Sequence, residues 1–160
     1  MITTQDGRNL AYLEVGDPHG PLVIHNHGGP SSRFEARLFA NSASKHRLRL
    51  ICVDRPGMGQ SSPQKTRTYS GWADDLTTIA DALGYHEFGV TGWSEGVPWA
   101  LAAAAYIDPV RLRHVSSIAG ATEHSAKIGQ RMTFPKSTRW GDSSHCILNL
   151  ASASCMRPLA

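Results

Sequence analysis

The stretch Gly92-Trp93-Ser94-Glu95-Gly96 constrains the chain most. It sets a serine between two glycines where an apolar, strand-like run, Phe88 to Thr91, gives way to a helix-like one, Trp99 to Ile107. A backbone that changes from extended to helical over so few residues must turn sharply, and a Cβ at either glycine would crowd the turn. A serine in that setting is lifted clear of the sheet with its hydroxyl open to a ligand. Pro98 falls in the first turn of the following helix, where a missing N–H costs little.

Two further loops close strand-like runs. His27-Gly28-Gly29-Pro30 follows Leu22-Val23-Ile24-His25-Asn26, and Asp54-Arg55-Pro56-Gly57-Met58-Gly59-Gln60-Ser61 follows Leu50-Ile51-Cys52-Val53. Asn9 to Val15 alternates apolar and polar side chains ahead of a Gly/Pro-rich turn, which predicts an early strand at an antiparallel edge. Phe34 to Lys45 reads as a short helix. The clearest helix is Gly71 to Leu83, where Trp72, Leu76, Ile79, Ala80 and Leu83 recur at helical spacing, with Ser70 as its N-cap and Gly84 as its stop. Val115 to Ala119 continues the rhythm as a strand. Alternation of this kind predicts right-handed βαβ crossovers and a mainly parallel α/β sheet.

Taken in order, each behind a strand, the three loop motifs resemble the α/β-hydrolase fold family. The H-G-G-P form is most similar to the proline iminopeptidase-like branch, although Trp93 and Glu95 depart from the elbow usual there. The resemblance runs from about Arg8 to Ala121. It implies that Ser94 is a nucleophile, that the backbone N–H groups of Gly29 and Glu95 are oxyanion donors, and that the substrate is a small-molecule ester or amide. In this family the acid and the histidine follow the serine, in that order, after a seventh and an eighth strand, and neither strand is legible here. Asp142 and His145 keep the order; Glu123, next to His124, lies just past the sixth strand, where some members place the acid. The chain is therefore expected to be the N-terminal part of such a domain (residues 1–121), truncated and catalytically incomplete, followed by an unmatched loop or disordered tail (residues 122–160). The alternative is a non-catalytic binding or interaction module that keeps the hydrolase pocket.

Charge and composition narrow the partners. Residues 1–120 carry 11 Lys and Arg against 11 Asp and Glu, and residues 121–160 carry 5 against 2, so the net charge of +3 comes from the tail. Five dispersed cations without interleaved aromatic residues do not indicate nucleic-acid binding. The longest apolar run, Trp99 to Ile107, is too short to cross a bilayer, and no signal-peptide pattern opens the chain, so no membrane partner and a cytoplasmic location are expected. Cys52, Cys146 and Cys155 lack metal-site spacing, and Gly57-Met58-Gly59 lacks the further Gly or Lys of a nucleotide loop, so neither metal nor cofactor is expected. Asp54, Arg55 and His27 read as turn-organising residues, and His25, His46, His86 and His114 as structural or surface histidines. An unpaired outer edge beyond the sixth strand would favour self-association.

Overall fold

A computed structural model describes residues 1–120. Two short strands, β1 (Ile2–Thr3) and β2 (Asn9–Leu10), pair antiparallel beside the main sheet. That sheet is formed by β3 (Tyr12–Gly16), β4 (Leu22–Asn26), β5 (Arg49–Val53), β6 (Phe88–Trp93) and β7 (Leu112–Ile118), in the spatial order β3-β5-β4-β6-β7. β3 runs antiparallel to β5 and forms one edge, and the other pairings are parallel. This is the mainly parallel α/β sheet that the alternation predicts.

Three local details differ from the sequence reading. The early strand divides at Ala11, whose N–H goes to Ser61 Oγ (2.9 Å) and whose C=O accepts the Asp54 N–H (2.8 Å), so the Asp54 turn interrupts the ladder. The Phe34–Lys45 segment is a 3-10 turn, Arg33–Phe39, running into α1 (Ala40–Lys45). That turn follows its anchors: Asp54 takes the Arg33 N–H at 2.6 Å, and the Glu35 carboxylate reaches inward to β4. Helix α2 (Tyr69–Ala82) is capped by Thr68, not Ser70, because the Thr68 hydroxyl accepts the Gly71 N–H at 3.0 Å while Ser70 already lies in the first turn.

The period of two along each strand divides the core between the sheet's faces. On one face, Leu22, Ile24, Ile51, Val53, Phe88 and Val90 meet Trp72, Leu76, Ile79 and Ala80 of α2 and Ala100 and Ala103 of α3 (Val97–Tyr106). On the other, Leu50 and Cys52 meet Ala36, Phe39 and Ala43. Burial pushes the Cys52 thiol far up, so it behaves as a small apolar residue. Because β4, β5 and β6 run parallel, their carboxyl ends collect at one edge, and with them the three loop motifs.

Candidate active site

Ser94 stands where β6 ends and a short 3-10 turn, Ser94–Gly96, leads into α3. Its φ is +50°, a left-handed conformation that costs a non-glycine residue about 1–3 kcal/mol. The surroundings impose it. A Cβ on Gly92 would press on the Gly96 carbonyl and on Val97, and one on Gly96 would run into the backbone carbonyls of Asn26 and His27. The elbow is thus seated directly on the end of β4, and only glycines allow that approach.

The His27–Pro30 loop comes to the same place. A Cβ built on Gly28 would lie 3.5 Å from Ser94 Cβ and 3.4 Å from the Trp93 carbonyl, and the carboxylate of Glu95 occupies the space that a Gly29 side chain would need. Gly29, far from Ser94 and Glu95 in the sequence, is therefore their neighbour. Asp142, His145, Glu123 and His124 lie outside the described residues.

The loop is held by buried polar groups. His27 is fully buried; its Nδ1–H donates to the Gly28 carbonyl (2.7 Å), and its Nε2 faces the Arg55 N–H (3.5 Å). Burial, with Arg55 close by, holds the His27 pKa below its ordinary value, which favours the neutral ring. Arg55 is itself buried, which lowers its pKa; its guanidinium donates to the carbonyls of His27 and Gly28 and lies 5.9 Å from the Trp99 ring. Asp54 accepts from the Arg33 backbone and side chain and from the Gln60 N–H (3.0 Å). The Asp54 turn is a scaffold, as its sequence suggests.

Sequence reasoning missed two groups here. Asn26, at 0% exposure, accepts from Trp72 Nε1 (2.7 Å) and donates to the Thr91 carbonyl (3.1 Å), tying α2, β4 and β6 together just ahead of the loop. His25 and Glu35 form a buried pair, His25 Nε2 to Glu35 Oε1 at 2.7 Å, and the Glu35 carboxylate also takes the Gly28 N–H. The usable signal was two polar residues, His25 and Asn26, at the end of an otherwise apolar buried strand, since buried polar groups need partners.

Burial acts to raise the Glu35 pKa, but hydrogen bonds from His25, Ser31 and the Gly28 N–H outweigh it and hold the carboxyl below its ordinary 4.5. A carboxyl depressed in the folded state adds stability that is complete above its unfolded value and is lost as pH falls through the folded one. Unfolding followed from pH 6 down to about pH 3 should therefore show a steeper acid loss for the parent than for Glu35→Gln. Parallel curves would show that Glu35 contributes nothing to the acid limb.

The remaining histidines among the described residues sit at the wrong edge to serve Ser94. His19, His46 and His86 precede β4, β5 and β6, at the strands' amino ends, and His114 pairs opposite Gly89 near the start of β6. At about 3.3 Å per residue, even His114 is some 15 Å along the strand from the elbow. Among the described residues no three His, Cys, Asp or Glu side chains converge as they would around a metal ion.

Comparison with known proteins agrees with this fold. The family described as alpha/beta hydrolase fold matches residues 21–143, a span that reaches past Ala121, includes Asp142 and stops short of His145. A proline iminopeptidase of Xylella fastidiosa is 31% identical over 107 residues, covering 65% of this chain and 34% of that protein. The bifunctional epoxide hydrolase 2 of Sus scrofa is 30% identical over 122 residues, covering 73% of this chain and 21% of that protein. Among solved structures, an alpha/beta hydrolase from Sphaerobacter thermophilus superposes with a TM-score of 0.59 at 28% identity, over 73% of this chain and 43% of that one. The chain thus spans about a third or less of the length of these two relatives.

Proposed function

The chain belongs to the α/β-hydrolase fold family, and from that premise we propose that it carries the nucleophile half of a serine hydrolase acting on an ester or amide bond of a small molecule. Ser94 is the nucleophile, and the N–H groups of Gly29 and Glu95 receive the charge that develops on the carbonyl oxygen. The observation that carries this reading is the left-handed Ser94 at the β6–α3 turn, with the Gly28–Gly29 loop against it. A strained residue held by glycine contacts on two elements is a conformation the fold maintains at a cost, which points to use. The chemistry needs only side-chain and backbone groups of the protein.

The reading includes an incomplete triad. Both ring nitrogens of His25 and His27 are engaged elsewhere, and the other described histidines sit at the far edge. Asp142 and His145 are the proposed acid and base if the chain turns over. The same commitment of histidines favours a second reading, a binding module that keeps the hydrolase pocket. Self-association through the outer edge of β7, which pairs only with β6 among the described residues, and a cytoplasmic location belong to the proposal as well; nucleic acid and membranes have no part in it.

A neutral alkyl fluorophosphonate separates the readings. It should add covalently to Ser94, slowly, and peptide mass mapping should place the adduct there and lose it in Ser94→Ala. An unmodified Ser94 in a chain that still binds small esters would favour the binding module.

A further inference from the structure

Gly28, whose carbonyl shares a peptide with the proposed Gly29 donor, is held at both of its backbone groups. The Gly28 N–H is shared between the two Glu35 oxygens at 3.1 and 3.2 Å, and the Gly28 C=O accepts from His27 Nδ1 (2.7 Å) and Arg55 Nη2 (3.5 Å). A trans peptide is planar, and its C=O and N–H point in opposite directions. Fixing the Gly28 carbonyl on the His27 and Arg55 side therefore fixes the Gly29 N–H on the other.

Glu35 is itself anchored. Its side chain is 8% exposed, and Oε1 also meets His25 Nε2 at 2.7 Å. An ionised carboxylate can only accept, so His25 Nε2 carries a hydrogen. His25 Nδ1 lies 2.6 Å from Thr91 Oγ1, on β6 three residues before Ser94, and His25 and Thr91 are register partners. One line of hydrogen bonds thus runs from the loop, through the 3-10 turn and β4, to the strand that bears the nucleophile.

We propose that Glu35 and His25 are positioning residues: they hold the His27–Gly28 peptide and, together with the His27 and Arg55 contacts to the Gly28 carbonyl, set the Gly29 N–H against the Ser94 turn as an oxyanion donor. This rests on the reading of Ser94 and Gly29 given above. A carboxylate is suited to the task because it accepts from Gly28, Ser31 and His25 at once, and charge-assisted hydrogen bonds are about twice as strong as neutral ones. A glutamine could keep the Gly28 contact through its single oxygen and turn its NH2 to His25, whose other tautomer would accept it.

Amide NMR on the whole chain tests this, with phenylboronic acid as a probe that adds to a serine and places an oxygen in the donor site. In the parent, the probe should shift the Gly29 and Glu95 amide signals. Glu35→Ala should speed Gly28 amide exchange and weaken probe binding, each by about tenfold, as expected for the loss of a hydrogen bond to a charged group. Glu35→Gln, the variant less apt to disturb folding, should recover most of both. Unchanged Gly28 exchange in Glu35→Ala would overturn the grip. Faster exchange with undiminished probe affinity would reduce Glu35 to a stabilising residue and overturn its positioning role. If the probe leaves Gly29 and Glu95 unshifted in the parent, the reading of Ser94 fails and takes the positioning role with it, while Gly28 exchange still reports whether Glu35 holds the loop.

Discussion

Trp72→Ala is expected to remove about 4–8 kcal/mol of stability. Trp72 is 2% exposed in the core between α2 and the sheet, and truncating a buried tryptophan costs about 3–5 kcal/mol. Its indole N–H is also the partner of Asn26 Oδ1, and stranding that buried acceptor adds about 1–3 kcal/mol. Together these approach the whole stability of an ordinary domain, about 5–15 kcal/mol. Trp72→Phe keeps one aromatic ring but loses the rest of the indole with its donor, so it should cost less than Trp72→Ala and at least the about 1–3 kcal/mol of the stranded acceptor. Urea unfolding of the three proteins at constant m-value measures both. A loss below about 2 kcal/mol for Trp72→Ala would mean that the contact between α2 and the end of β4 is dispensable.

The second large effect is kinetic. In subtilisin, loss of the serine or the histidine alone lowers kcat about 2 × 10⁶-fold, and an enzyme without one member of its triad keeps only about 10³–10⁴ over water. With no base beside Ser94 among the described residues, hydrolysis of an activated ester such as p-nitrophenyl acetate should stay within that residual range, and Ser94→Ala should change it little. Fast turnover abolished by Ser94→Ala would instead reveal a working base. His145→Ala would then show whether His145 is that base, with loss of about the same size identifying it.

What the sequence makes legible follows from how local each determinant is. The strands announced themselves because β4 and β5 are buried on both faces and each carries an apolar run, residues 22–24 and 50–53, and α2 did so because Trp72, Leu76, Ile79 and Ala80 face one side. The Ser94 turn was legible because its glycines respond to contacts a few residues away as well as to β4. His25 and Glu35 were not, since a histidine inside an apolar strand and a glutamate in a short turn carry no spacing that pairs them. Their partnership arises only when the 3-10 turn folds back over β4. The Thr68 cap was missed for a smaller reason: Thr68 and Ser70 are both capping residue types, Ser the more favoured, and only the reach to the Gly71 N–H decides between them.

The seating of the Ser94 turn on the end of β4 also orders events in time. His25 and Glu35 are ten residues apart and Gly28 and Glu35 seven, and the turn and loop that carry them are anchored by Asp54 and Arg55, so that half of the site can close once the chain has reached the Asp54 turn. The contact with β6 spans 66 residues, from His25 to Thr91. At a synthesis rate of about 5–20 residues per second, the loop half waits several seconds for the strand that will bear the serine. The left-handed turn at Ser94 has no reason to persist before β4 is there to hold it, so the nucleophile acquires its conformation late, on a platform already in place. A slow codon run between the Asp54 turn and β6 would lengthen the interval without altering the product, because the early half closes through contacts that do not involve β6.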